Sequence, residues 1–274
     1  MATATAPASI TLETGVTLSY AERGDGSRPP VVLLPGPTDS WRSYEQVLDR
    51  MPKSTRTIAV SQRGHGDSDK PATGYRVEDF AGDAISLLDA LDIEAAVLVG
   101  HSGSCLVTRR VAIAHPDRVA GLVLEASPST LVDDPGVREF VDSVVCNLDD
   151  PIDPAFARSF VIDTSSGDVA PALLDTLAGE LMKVPARVWR ETFAGLQEYD
   201  DLAELSRVTA PALLLWGDAD PLVGRHMQEE LLRRMASATL IAYPGLGHTP
   251  RWEDPARFAA DLTAFVERLP FWRQ

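Results

Sequence analysis

The stretch Gly100-His101-Ser102-Gly103-Ser104 constrains this chain more than any other. It follows the apolar run Ala95-Ala96-Val97-Leu98-Val99 and precedes a helix-like run from Cys105 to His115. The order is strand, tight turn, helix, with a serine at the turn, which is the local context of a nucleophile elbow. A serine hydroxyl attacks well only when it stands clear of the backbone, near a base and near the N–H groups of a helix start. Small flanking residues let strand and helix approach closely and let the serine take a strained backbone conformation. The fifth position is Ser104, where glycine is the usual choice. A serine in a glycine-containing turn is a weak signal alone.

Two later segments strengthen it. The apolar run Ala212 to Trp216 leads into Gly217-Asp218-Ala219-Asp220-Pro221, and Thr239 to Tyr243 leads into Pro244-Gly245-Leu246-Gly247-His248. Serine, aspartate and histidine therefore follow one another in chain order, each just past a strand. In this reading Ser102 is the nucleophile, His248 the general base and then acid, and Asp220 the group that orients the imidazole. Asp218 reads as a turn carboxylate. Glu125, at the end of the run Val119–Glu125, is a competing position for the acid. The other histidines have structural readings: His65 in a glycine turn, His115 at a helix end, His226 on a helix, and His101 in the elbow, pointing away from the cleft.

Val31–Leu34, Thr57–Ser61, Ala95–Val99, Val119–Glu125, Ala212–Trp216 and Thr239–Tyr243 are short, continuous apolar runs, as expected for parallel strands covered on both faces. Ile10 to Tyr20 alternates around Thr14-Gly15 and predicts an antiparallel hairpin at the sheet edge. Val77–Leu91 carries apolar residues at helical spacing. The alternation predicts an α/β fold with a mostly parallel, doubly wound sheet, whose sites form at the carboxyl ends of its strands. From Ser127 to about Ser206 the strand signal stops and prolines punctuate helical stretches. This predicts a core of residues 1–128 and 207–274 with a helical cap inserted at 129–206. Trp41, Phe140, Trp189, Phe193 and Leu222 are candidates to line a substrate pocket.

With 40 Asp and Glu against 25 Lys and Arg, the 274-residue chain has a formal charge of −15. Phosphate backbones are repelled by such a chain, so nucleic acid is not an expected partner. Its two cysteines suggest no disulfide framework, and a reducing cytoplasm is the default. No apolar run approaches the roughly 20 residues needed to cross a bilayer. The start does not read as a signal peptide. No metal-ligand spacing is present. A small-molecule substrate is the expected partner, and the oligomeric state, monomer or dimer, stays open.

The chain resembles the α/β-hydrolase superfamily from about Ile10 to Leu269. "GHSGS", "LLLWGDADPLV" and "GLGHTPRWEDP" carry the resemblance, supported by "VVLLPGPTDSW", "QRGHGDSDKP" and "AHPDRVAGLVLEAS". It implies a Ser-His-Asp triad, an acyl-enzyme and no cofactor or metal. A serine at position 102 makes the relatives with an aspartyl nucleophile, the dehalogenases and epoxide hydrolases, poor guides. Within the "QRGHGDSDKP" turn, Arg63 and Asp67 read as structural. The resemblance also implies an oxyanion hole with Gly103 as one donor. The second donor usually follows His-Gly after the Val31–Leu34 strand, and here that slot is Pro37, which has no N–H. Losing such a donor costs about 10²–10³ in rate. Thr38 is expected to supply its N–H or hydroxyl through a shifted turn. The implied activity is hydrolysis of a small to medium, apolar ester or lactone. The same triad also suits carbon–carbon hydrolysis, perhydrolysis, a lyase reaction or a slowly hydrolysing small-molecule receptor.

Overall fold

Runs of Val, Leu and Ile with no polar face need cover on both sides, and that requirement builds the sheet. The computed structural model describes residues 7–26 and 29–270. Its strands are β1 (Ala8–Thr11), β2 (Thr17–Arg23), β3 (Val31–Leu34), β4 (Thr57–Val60), β5 (Ala96–His101), β6 (Val119–Glu125), β7 (Ala212–Gly217) and β8 (Ala238–Tyr243). They form one sheet in the order β1-β2-β4-β3-β5-β6-β7-β8. The expected hairpin joins β1 and β2, with Gly15 at φ +82° in its turn, a conformation open to glycine. β2 is antiparallel to β4, and every pair from β4 to β8 is parallel.

The helices are α1 (Glu45–Leu48), α2 (Val77–Ala90), α3 (Ser104–Ala114), α4 (Pro135–Ser143), α5 (Pro154–Asp163), α6 (Pro171–Leu181), α7 (Ala186–Glu198), α8 (Arg225–Arg234), α9 (Pro250–Glu253) and α10 (Pro255–Arg268). The period of two along each strand divides the core. Val32, Leu34, Ala96 and Leu98 pack with Leu87 of α2 and Leu106 of α3. Val31, Leu33, Val97 and Val99 pack with Leu48 of α1 and Phe258 of α10. Each buried Val, Leu or Phe among them stabilises by about 1.5–3 kcal/mol relative to exposure.

Among the described residues, no strand lies between Glu125 and Ala212; α4 to α7 fill that segment. Asp134-Pro135 and Asp153-Pro154 start α4 and α5. In each, proline takes the first turn, where its missing N–H costs nothing. The aspartate Oδ1 accepts the N–H of Val137 at 2.9 Å or of Phe156 at 2.8 Å. Helix α4 buries none of its residues, whereas α7 buries Val188, Trp189, Thr192 and Leu196. No helix of the described residues is long and apolar enough to cross a membrane.

Strand order places the site. The chain steps from β3 to β4 on one side, then crosses to β5 on the other. The connections after β3 and β5 therefore diverge and leave a crevice at their carboxyl ends. Leu34 is in register with Gly100, so the turn after β3 lies beside the elbow after β5.

Candidate active site

Ser102 occupies the turn between β5 and α3 with φ +52°, a left-handed conformation that few non-glycine residues adopt. Its N–H donates to Glu125 O at 2.9 Å, tying the elbow to β6. Gly100 must be glycine, because a Cβ there would lie 2.6 Å from Ser104 O. A Cβ on Gly103 would meet Leu196 Cδ1 at 2.8 Å and Pro37 Cγ at 2.9 Å. Close approach of the helix backbone thus requires glycine at 100, whereas at 103 the near atoms are side-chain ends of Leu196 and Pro37.

His248 and Asp220 are brought together. His248 Nδ1–H donates to Asp220 Oδ2 at 2.8 Å, with both side chains almost completely buried. A carboxylate only accepts, so this bond fixes the tautomer and leaves Nε2 as the basic nitrogen. Asp220 is itself held, since its Oδ1 accepts the N–H groups of Leu222 at 2.8 Å and Val223 at 3.0 Å. Among the described residues, Asp218 accepts only the Gly245 N–H, at 2.6 Å, as a turn carboxylate does. Glu125 faces other partners. Its Oε2 accepts Tyr44 O–H at 2.9 Å, and its Oε1 accepts the backbone N–H and Nη1 of Arg251, both at 3.2 Å. Burial pushes the Glu125 carboxyl upward against the pull of Arg251.

His101 departs from the sequence reading. It does not point away from the cleft but lines it, and its Nε2–H donates to His248 O at 3.0 Å. Room for the ring comes from Gly36, where a Cβ would lie 2.5 Å from His101 Nδ1. Burial holds this imidazole well below its ordinary value, helped by the nearby charge of Arg251.

The turn after β3 carries the second expected donor. Asp39 N–H donates to Gly36 O at 3.1 Å, and Thr38 has φ +80°. Proline second and a positive φ third define a type II turn, which usually takes glycine where Thr38 stands. A β-branched residue there stores on the order of 1–3 kcal/mol of strain. Among the described residues, neither the Thr38 nor the Gly103 N–H has an intramolecular acceptor. Both residues line the cavity that holds Ser102 and His248. Gly103 also starts α3, whose dipole favours negative charge at that end.

Two residues that the sequence reading left without a role hold this turn from behind. Ser104 Oγ donates to Pro35 O at 2.6 Å and accepts Gln62 Nε2–H at 2.8 Å, while Gln62 Nε2 also donates to Pro35 O at 3.0 Å. Ser104 carries a signal in the sequence, since it stands where glycine is usual; Gln62 carries none of its own. The expected structural pair separates: Arg63 is bound bidentately by Asp83 at 2.6 Å, and Asp67 meets Lys183 at 2.8 Å. Neither lines the cavity.

The cavity has a volume of about 270 Å³. Of the five candidate pocket residues, Phe140, Phe193 and Leu222 line it, joined by Phe160. Trp41 and Trp189 do not. Trp41 packs in the core beside Tyr44 and Val47. Trp189 stacks on Phe193 at 6.1 Å and meets Phe160 edge-on at 5.2 Å, so it supports the lining from behind. Both indoles are 1% exposed, since a large apolar side chain gains more from full burial than from a half-open wall.

A largely parallel sheet with a serine at the turn after β5, an aspartate after β7 and a histidine after β8 is the architecture of the α/β hydrolases. Residues 31–261 match the model of the alpha/beta hydrolase family, and the chain belongs to that family. It is 33% identical to the non-heme chloroperoxidase of Streptomyces lividans, over 94% of this chain and 99% of that one. The 2-(acetamidomethylene)succinate hydrolase of Mesorhizobium japonicum is 27% identical, over 92% of each chain. An esterase from Exiguobacterium antarcticum shares the fold, with a TM-score of 0.85 at 20% identity, covering 96% of this chain and all of that one.

Proposed function

We propose that this protein is a serine hydrolase that cleaves a small to medium, apolar carboxylic ester or lactone through an acyl-enzyme. The observation that carries the reading is the buried 2.8 Å bond from His248 to Asp220, with Ser102 in the same cavity at a strained φ of +52°. Ser102 Oγ attacks the carbonyl carbon and its proton passes to His248 Nε2. The Gly103 and Thr38 N–H groups stabilise the oxyanion. The scissile C–O bond breaks as His248 returns the proton to the leaving oxygen. Water then attacks the acyl carbon, giving one proton to His248, which restores it to Ser102 as the acid departs. Residues 129–206 act as the lid, and Phe140, Phe160 and Phe193 suit an apolar acyl or alcohol group.

Fluorophosphonate labelling of the wild type and Ser102→Ala, with a chain-length series of activated esters, tests this. The expected result is a mass adduct on Ser102 and turnover that vanishes in Ser102→Ala; unchanged labelling of Ser102→Ala overturns it. A second reading is perhydrolysis, favoured by the 33% identical chloroperoxidase. Hydrogen peroxide would then replace water as the attacking group. Peracid formed from a carboxylic acid and peroxide, lost in Ser102→Ala, would support that reading, and its absence would leave hydrolysis alone.

A further inference from the structure

We infer that Asp39 and Arg251 form a clamp that holds the Gly36–Asp39 turn in the conformation presenting the Thr38 N–H to the oxyanion. The inference rests on the proposed role of Thr38 and adds the groups that keep Thr38 in place. Left alone, a type II turn with a β-branched residue at φ +80° relaxes toward an unstrained form. The closing Asp39 N–H to Gly36 O bond is a single neutral hydrogen bond of 3.1 Å.

The Asp39 side chain supplies the rest. Its Oδ2 accepts Arg251 Nη2–H at 2.6 Å and Ser43 O–H at 3.0 Å. Arg251 Nε donates to Ser43 Oγ at 2.8 Å, and its Nη1 and backbone N–H reach Glu125 Oε1 at 3.2 Å. The guanidinium is fully buried, and packs over the Tyr44 ring at 5.1 Å and the Trp252 ring at 4.6 Å. A charged group gripped on every edge has one place to be, and so does the carboxylate it binds.

Arg251 begins where the catalytic histidine's segment ends, three residues past His248. Glu125, its second carboxylate, is the residue whose carbonyl accepts the Ser102 N–H at 2.9 Å. One guanidinium therefore joins the segments that carry Thr38, Ser102 and His248. Asp39 and Arg251 are positioning residues; Asp39 lines the cavity, and Arg251 lies behind Asp39 and Trp252 without lining it.

Glycine takes φ +80° without strain and keeps its N–H, so Thr38→Gly removes the need for the clamp. Asp39→Asn is made in the wild-type and Thr38→Gly backgrounds, and kcat and KM are measured for a Ser102-dependent ester. In the wild-type background, kcat is expected to fall roughly 10²-fold with KM within about threefold, as for loss of one oxyanion donor. In the Thr38→Gly background the same change is expected to lower kcat less than about fivefold, a coupling that general loss of fold would not produce. Affinity for a trifluoromethyl ketone, which binds as an oxyanion adduct, should fall in step with kcat. Should Asp39→Asn not fold, Arg251→Lys replaces it in both backgrounds. Equal losses in the two backgrounds, or no loss, overturn the clamp while Ser102 labelling stands. A wild type that neither labels nor turns over esters overturns both readings.

Discussion

Asp220 makes three hydrogen bonds with two oxygens, so its carboxylate is aimed as well as charged. Asn at this position would present an NH₂ group to His248 or to the Leu222 and Val223 N–H groups, and either choice misplaces a proton. Asp220→Asn is expected to lower kcat/KM by about 10⁴-fold, the loss typical of a triad held in the wrong tautomer. Asp218→Asn, which gives up one turn bond, should stay within about threefold; steady-state kinetics of the two variants separate the roles. His65 leads to a different expectation. It is buried, with Nδ1 on Arg63 O at 2.8 Å, and burial pushes its imidazole from 6.5 down to about 4. Its folded value is depressed, so the unfolded chain takes up the proton first. The stability it contributes is intact above pH 6.5 and is lost as pH falls toward 4, amounting to ~3 kcal/mol. Urea melts at pH 7, 5 and 4 should show the stability gap between wild type and His65→Asn closing by about that amount; a constant gap would refute it.

Helices α4 and α7 both meet the cavity, but they stand differently on the core. Helix α4 buries no residue, yet Gly136, Val137 and Phe140 line the cavity. Phe140→Ala is expected to move the preferred acyl length upward and lower kcat/KM for short esters, with little change in melting temperature. Trp189 sits on α7, fully within the apolar cluster, and Trp189→Ala should cost about 3–5 kcal/mol in a thermal or urea melt. A Phe140→Ala variant as destabilised as Trp189→Ala would show that α4 is part of the core after all. The strands were readable because continuous Val and Leu runs have one common fate, burial between layers. Phe140 and Trp189 carried the same signal, aromatic residues in a helical stretch. Which of them faces the cavity depends on how four helices pack, and that has no local signature.

Across the molecule, the formal charge of −15 meets a cavity lined by Asp134, by Asp39, whose charge Arg251 balances from behind at 2.6 Å, and, among the described residues, by no lysine or arginine. An ester bearing a free carboxylate should be cleaved at least about tenfold less efficiently than a neutral ester of equal length. The ratio should narrow between 0.05 and 0.5 M salt, as screening predicts at roughly those ionic strengths. Equal efficiencies at low salt would count against a repulsive cavity. The serine, aspartate and histidine were legible because each follows its own strand within a few residues. The Arg251 network was not, because its partners Asp39, Ser43 and Glu125 lie 212, 208 and 126 positions away. Nothing beside Arg251 in the chain marks a buried charge. The position of the helical segment has a wider consequence. The chain leaves the sheet at Glu125 and re-enters at Ala212, on strands that are already neighbours. Recombination at those two seams would exchange α4 to α7 between lineages and leave the sheet in register, so under the proposed lid role a descendant would change its diet in one genetic step.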